Sequence, residues 1–169
     1  ALRDEMCAND TTYFNPRQFS NPDNITCHKM TTGVEIIRQC PNLSAFIAGS
    51  GTGGTLMGVN EMLKIARKDT KIIQVQPEES NALHGIQGIN DGDDFLLDKS
   101  IIDDVIYVKT KDAINRAKRL AKEKGLLVGI SAGANVLAAE RWVKENNPEH
   151  PVVTILCDRG ERYFSCYED

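Results

Sequence analysis

The sequence predicts an α/β fold: a doubly wound, mostly parallel sheet flanked by helices on both faces. Short apolar runs alternate along the chain with longer stretches in which apolar residues recur at a period near 3.6. Strands that alternate with helices are typical of parallel sheets whose connections cover both faces. With 169 residues, the chain has the length of one α/β domain with a single core.

The first strand is predicted at residues 44–48, an apolar run that ends in a cluster of glycines. The segment after the glycines predicts a helix, because its apolar residues share one face. These residues are Leu56, Val59, Met62, Leu63 and Ala66. Residues 31–40 predict a short helix before the strand, and the chain itself begins within a segment typical of a helix.

Three further strands and two further helices complete the predicted sheet. Residues 71–76 predict a strand that Pro77 ends, because proline has no N–H group for the ladder. Residues 104–108 predict the next strand, and the helix after it opens at Thr110 and closes at Gly125. A further helix and a last strand are predicted at 132–146 and 151–156, and residues 78–103 lack a clear period, which is typical of a functional loop.

The composition argues against several classes of function. The net charge is −4, from 20 Lys and Arg against 24 Asp and Glu, so neither nucleic acid nor an anionic membrane is the expected partner. No apolar stretch approaches the roughly 20 residues that span a bilayer, and residues 1–10 do not resemble a signal peptide. The five cysteines form no CxxC pair and no zinc spacing, which predicts free thiols in the cytoplasm and no metal site.

The glycine-rich loop (residues 49–55, GSGTGGT) lies between the first strand and its helix. Successive glycines let the backbone approach a ligand closely, and the first N–H groups of the helix lack partners within the helix. Such N–H groups can point together at one anion, and Thr52 and Thr55 add hydroxyl donors. The loop therefore predicts a phosphate site that needs no cationic side chain.

Two other phosphate motifs remain open for this loop. Gly49, Gly51 and Gly54 match the GxGxxG dinucleotide fingerprint, but Gln76 stands where that fingerprint needs an acidic residue for the ribose. A P-loop is disfavoured more strongly, because Thr55 occupies the place of its lysine.

Five segments of the chain resemble, in the same order, the cysteine synthase (O-acetylserine sulfhydrylase) family of pyridoxal-phosphate enzymes. They are QFSNP at 18–22, HKMTTGVEI at 28–36, GTGGT at 51–55, GISAGA at 129–134 and GERY at 160–163. The residues at 76–79 (QPEE) and 157–160 (CDRG) resemble the B-type enzymes more than the A-type. The resemblance implies the large domain of a fold type II enzyme, with pyridoxal 5'-phosphate as its cofactor. Cystathionine β-synthase is the alternative in the same class.

The resemblance implies roles for individual residues. Gly51, Thr52, Gly53, Gly54 and Thr55 would hold the phosphate group of the cofactor. Ser131 matches the serine whose hydroxyl contacts the pyridine nitrogen. Because a serine hydroxyl is too weak an acid to keep that nitrogen protonated, the ring is a restrained electron sink, which suits β-elimination. An ordinary helix N-cap is a compatible role for Ser131.

Two residues match the substrate side of the family's site. Gln18 matches a residue near the substrate carboxylate, with Phe19 shaping the pocket. Gly88 matches a glycine in a loop that lines the cofactor, although Asn90 stands where the family has a second glycine.

The family's Schiff-base lysine and its Asn-rich substrate loop are not found in this sequence, so no catalytic residue is assigned. Lys29 lies inside a matching segment, but the family does not place its base there. The chain is therefore expected to be one domain, the C-terminal cofactor-binding part of a two-domain enzyme whose N-terminal part is absent, and to be inactive alone.

The activity implied for the whole enzyme is synthesis of L-cysteine from O-acetylserine and sulfide, commonly by a homodimer. A non-catalytic phosphate- or nucleotide-binding module is the alternative from another class.

Overall fold

The computed structural model describes residues 2–66, 69–78 and 96–167 of the chain. Within them, four parallel strands form one sheet in the order β3-β2-β1-β4. The strands are β1 (Ala45–Gly49), β2 (Lys71–Pro77), β3 (Asp104–Val108) and β4 (Val152–Thr154). The helices are α1 (Leu2–Asn9), α2 (Asp23–His28), α3 (Val34–Gln39), α4 (Gly54–Ala66), α5 (Thr110–Lys124), α6 (Ile130–Asn146) and α7 (Phe164–Tyr167). The α/β fold with a parallel sheet is thus confirmed.

Alternate residues of β1 enter two separate cores, because side chains of a strand point to opposite faces in turn. Ala45 and Ile47 pack with Ile73 on β2 and with the apolar face of α6, including Trp142. On the other face, Phe46 and Ala48 pack with residues of α3 and α4. Helices therefore cover both faces of the sheet, as the continuous apolar runs of the strands predict.

Most element boundaries match the sequence expectations, and the exceptions have local causes. β4 stops at Thr154 rather than 156, because the Ile155 carbonyl accepts a hydrogen bond from the Asn135 side chain on α6 at 2.9 Å. The helix expected at 31–40 is a π-helical turn, Lys29–Gly33, that continues into α3. The predicted end of α5 is confirmed, since Gly125 closes it with φ 69.

Helix α2 was not predicted, and it lies against the start of α4. A Cβ atom built on Gly58 would lie 2.5 Å from the Ile25 carbonyl oxygen and 2.6 Å from the His28 Cβ. A Cβ at Gly54 would overlap the Asn24 side chain. Two glycines one turn apart thus let α2 approach α4 more closely than any larger residue allows.

None of the helices in the described ranges is both long and apolar enough to cross a membrane.

Candidate functional site

The glycine-rich loop lies at the carboxyl edge of the sheet, between the end of β1 at Gly49 and the start of α4 at Gly54. Open parallel sheets bind ligands at this edge, and the helix that follows offers its unpaired N–H groups there. The Leu96 N–H donates to the Thr52 carbonyl at 3.0 Å, which fixes the outer part of the loop. The predicted phosphate motif therefore lies at the edge of the sheet where ligands bind in this class of fold.

Gly53 and Gly51 serve the loop in different ways. Gly53 has φ 87, and a Cβ there would lie 2.5 Å from the Leu97 Cβ and 2.7 Å from the Leu97 nitrogen. Any side chain at this position is therefore both strained and blocked. At Gly51, by contrast, no atom of the described residues lies within 4 Å of a built Cβ. The loop is closed against protein at Gly53 and open at Gly51, as a ligand cradle requires.

The two loop threonines are held by side chains of α2. Thr52 Oγ1 accepts hydrogen bonds from Asn24 Nδ2 at 3.0 Å and from the Gly54 N–H at 3.2 Å. Thr55 Oγ1 lies 3.1 Å from His28 Nε2. Both threonines are only half-buried, so their hydroxyls remain within reach of a ligand.

Ser131 is the second residue of α6, because Gly129 is the N-cap of this helix. The alternative role of Ser131 as an N-cap is therefore wrong. One turn further along α6, the buried Asn135 accepts a hydrogen bond from the Gly49 N–H at 2.8 Å and donates to the Ile155 carbonyl. Asn135 thus ties α6 to the ends of two strands and brings Ser131 to the edge that carries the glycine-rich loop.

A protonated thiol lies beside Ser131. Desolvation raises the pKa of the Cys157 thiol, and hydrogen bonds with Ser131 and Asn135 oppose this rise only in part. At neutral pH the surroundings of the Ser131 hydroxyl therefore include a neutral SH group rather than a thiolate.

A tyrosine–aspartate pair from the chain beyond β4 lies against the N-terminus of α6. The Tyr163 hydroxyl donates to Asp158 Oδ2, and this bond raises the pKa of Tyr163 to about 12. The Gly129 N–H donates to the Asp158 carbonyl at 3.1 Å, so the pair is fixed directly to the start of the helix. Asp158 Oδ1 is buried and has no hydrogen-bond partner among the described residues.

The other residues singled out from the sequence have different outcomes. Gln18 is exposed, and its backbone carbonyl accepts a hydrogen bond from the same Asn24 amide that donates to Thr52, so the residue lies beside the loop. Gly88 lies outside the described residues. Lys29 forms an ion pair with Glu61 at 3.0 Å. Glu61 is six residues beyond Thr55, roughly 9 Å along α4, so this lysine is directed away from the loop.

Three residues that support the site were not found from the sequence: Asn24, His28 and Asn135. Two signals were available: His28 opens the matching segment at 28–36, and a buried asparagine inside the apolar stripe of α6 needs polar partners. The described residues contain no group of three or more His, Cys, Asp or Glu side chains that could hold a metal ion.

The donors present at this edge suit pyridoxal 5'-phosphate. Backbone N–H groups and threonine hydroxyls match a phosphate, the open side at Gly51 leaves it room, and the neutral hydroxyl of Ser131 matches a ring nitrogen.

Comparison with known proteins gives the same result. Residues 1–158 match the family model described as pyridoxal-phosphate dependent enzyme. The chain is 44% identical over 172 residues to cysteine synthase B of Campylobacter jejuni, covering 95% of this chain and 56% of that protein. It is also similar to the crystal structure of cysteine synthase from Entamoeba histolytica, with TM-score 0.83, 36% identity, and coverage of 96% and 51%.

A third relative is the O-acetylserine dependent cystathionine β-synthase of Helicobacter pylori, with TM-score 0.80, 32% identity, and coverage of 96% and 56%. The chain spans about half the length of the curated relatives it matches. Since the family model covers most of the chain and the edge of the sheet carries the matching donors, this chain belongs to the family of pyridoxal-phosphate-dependent enzymes.

Proposed function

We propose that this chain is the cofactor-binding part of an enzyme that makes L-cysteine from O-acetylserine and sulfide. The observation that carries the proposal is the meeting of the glycine-rich loop and Ser131 at one edge of the sheet, through the hydrogen bonds of Asn135. The similarity to proteins named cysteine synthase supports the choice of substrates. A two-domain enzyme, with the other part supplied outside this chain, agrees with the share of its relatives that the chain spans.

In this proposal, residues at the starts of two helices bind different groups of the cofactor. The N–H groups at the start of α4 and the hydroxyls of Thr52 and Thr55 bind the phosphate, while the Ser131 hydroxyl at the start of α6 meets the ring nitrogen. Bound pyridoxal phosphate supplies an electron sink for elimination at the substrate β-carbon. Because the Ser131 hydroxyl is a very weak acid, its contact with the nitrogen keeps that sink restrained, and the Cys157 thiol beside Ser131 is neutral as well.

The family resemblance assigns the substrate contacts to Gln18 and Gly88. Gln18 is held beside the phosphate-binding threonines by Asn24, which suits a residue that contacts the substrate carboxylate. The lysine that binds the cofactor covalently is supplied by the part of the enzyme outside these 169 residues. We further propose a homodimer in the cytoplasm.

The test uses the complete protein encoded by the gene, and it compares two acceptors. Purified protein with pyridoxal phosphate is supplied with O-acetylserine and either sulfide or homocysteine. We expect cysteine from sulfide, while the residues 1–169 alone give no turnover above a control without protein. Faster consumption of homocysteine would favour the second candidate, a cystathionine β-synthase, which the Helicobacter pylori relative supports. Binding of the cofactor without turnover of either acceptor would leave a non-catalytic module.

Borohydride reduction of the complete protein, followed by peptide mapping, locates the covalent lysine. We expect the label outside residues 1–169. A single stoichiometric label on Lys29 would show that the chemistry lies in this chain and that the assignment of its domain is wrong.

A further inference from the structure

Helix α2 presents two polar side chains to the glycine-rich loop. Asn24 and His28 are four residues apart, so they share one face of the helix. Asn24 contacts Thr52, and His28 contacts Thr55. The close approach at Gly54 and Gly58 brings this face within hydrogen-bond distance of both hydroxyls.

The Asn24 contact determines the direction of the Thr52 hydroxyl. A hydroxyl has two acceptor lone pairs and one hydrogen. Asn24 Nδ2 and the Gly54 N–H donate to Thr52 Oγ1, at 3.0 and 3.2 Å, and therefore use both lone pairs. The hydroxyl hydrogen is left to be donated elsewhere, which is the state that an anion at the loop requires.

The tautomer of the His28 ring likewise determines the direction of the Thr55 hydroxyl. His28 Nε2 lies 3.1 Å from Thr55 Oγ1, and Nδ1 lies 3.0 Å from Thr32 Oγ1. With the proton on Nε2, the ring donates to Thr55, whose own hydrogen can then point at a ligand. With the proton on Nδ1, the ring donates to Thr32, and the Thr55 hydroxyl donates its hydrogen to Nε2, so it is not available to a ligand. Partial burial lowers the pKa of His28, which favours a neutral ring and makes its tautomer the relevant variable.

We propose that Asn24 and His28 are positioning residues that aim the hydroxyls of Thr52 and Thr55 at a bound phosphate, and that the phosphate selects the Nε2–H form of His28. The proposal rests on the assignment of the glycine-rich loop as the phosphate site of the cofactor. It adds a layer behind the loop that acts on the ligand only through the two threonines. Thr32 completes the relay by donating its hydrogen to Nδ1.

The test measures how much the phosphate group contributes to binding. In the complete enzyme, dissociation constants are determined for pyridoxal phosphate and for pyridoxal, which lacks the phosphate, and their ratio is the readout. Replacing His28→Met removes the ring donor, and we expect the ratio to fall about tenfold, because a hydrogen bond to a charged group is weakened. Replacing His28→Gln keeps an N–H donor near the position of Nε2, and it should restore the ratio to within about threefold of the parent.

Asn24 is tested by one variant of the same shape. Asn24→Asp keeps the shape but replaces the donor by a carboxylate that attracts the Thr52 hydrogen, so the ratio should fall about tenfold or more. The exposed His150 lies outside the loop, and His150→Gln should leave the ratio unchanged. Affinity for pyridoxal serves as the folding control, since a variant that has merely lost its structure loses both ligands together.

The tautomer is read directly in the parent protein by ¹⁵N chemical shifts of the His28 ring, assigned by loss of the signal in His28→Gln. Pyridoxal phosphate should move the ring to the Nε2–H form, and pyridoxal should not. A parent that binds both ligands equally well would overturn the phosphate site itself. A parent with a large ratio, but with no effect of His28→Met and no change of tautomer, would overturn this inference and leave the phosphate site intact.

Discussion

The two helical layers of this protein both depend on glycine, but they use it for different ends. In the α2/α4 layer, Gly54 and Gly58 let α2 approach until its polar residues Asn24 and His28 reach the ligand edge. In the α5/α6 layer, a Cβ on Gly133 would overlap the Ala113 carbonyl and lie 2.9 Å from the Ala117 nitrogen. There the neighbours are alanines in a sealed seam. Close packing positions chemistry in the first layer and stabilises the fold in the second.

The largest effect that this comparison predicts is on stability in the α5/α6 layer. Gly133→Leu forces α5 away from α6, because the two nearest obstacles to the new side chain are backbone atoms. We expect a loss of about 3 kcal/mol or more in the free energy of unfolding, measured by urea titration of the complete enzyme. Lys144→Ala, at an exposed position of the same helix, should change it by less than about 0.5 kcal/mol. Equal losses in the two variants would remove the distinction between the layers.

The next effect falls on the cofactor rather than on the fold. Gly53→Val combines a positive φ with a contact against Leu97, so pyridoxal-phosphate affinity should fall at least about 100-fold, together with some stability. The matched change is Gly51→Ala, whose new methyl meets no atom of the described residues. It should leave urea unfolding of the cofactor-free protein unchanged and still weaken pyridoxal-phosphate binding about tenfold, since it enters ligand space. Unchanged affinity in Gly51→Ala would place the phosphate elsewhere.

The tyrosine–aspartate pair at the start of α6 gives a smaller effect with a definite pH dependence. Tyr163→Phe leaves Asp158 without its described partner and should cost about 1–2 kcal/mol at pH 8. The pKa of Tyr163 is raised from 10.0 to about 12 in the folded protein. A raised pKa means that the stabilisation is complete below pH 10 and is lost as the pH rises toward 12. The difference between parent and variant should therefore shrink across this window in unfolding measurements, and a constant difference would contradict the contact.

The smallest effect concerns Ser131, which belongs to the α5/α6 layer by position and to the ligand edge by chemistry. Ser131→Ala should retain pyridoxal phosphate, because the proposed phosphate site is the glycine-rich loop, and slow elimination about fivefold, the value of roughly one neutral hydrogen bond. Ser131→Asp is the sharper variant, since a carboxylate favours protonation of the ring nitrogen by charge pairing. Rapid-scan absorbance with O-acetylserine should then reveal side reactions. If Ser131→Asp carries out elimination as fast and as cleanly as the parent, Ser131 does not contact the ring nitrogen.

The sheet and the glycine-rich loop could be predicted from the sequence, because both depend on local residue patterns. Apolar runs and glycine clusters predict β1, β2, β3 and α4 almost to the residue. Helix α2 escapes this reasoning, because six residues cannot display a period. The roles of Asn24 and His28 escape it too, since they depend on how closely α2 approaches α4, which only the tertiary structure fixes.

Ser131 shows where local reasoning goes wrong. A serine near a helix start suggests an N-cap, but the helix begins two residues earlier than expected, at Ile130, after Gly129. The start is set by contacts with residues far along the chain: the Gly129 N–H binds the Asp158 carbonyl, and Asn135 binds Ile155. No pattern within the helix itself contains that information.

The bonds of Asn135 also set an order of events during folding. Its amide joins Gly49, 86 residues earlier, to Ile155, 20 residues later. Contacts across such separations form after local helices, because the loop entropy must first be overcome. A ribosome that has released residues 1–150 has therefore made most of the sheet but no finished cofactor edge. In pulse-labelled refolding, we expect the Gly49 amide to gain protection from exchange after the amides of α6. The edge that carries the glycine-rich loop is therefore completed only once Ile155, just past β4, has been synthesised.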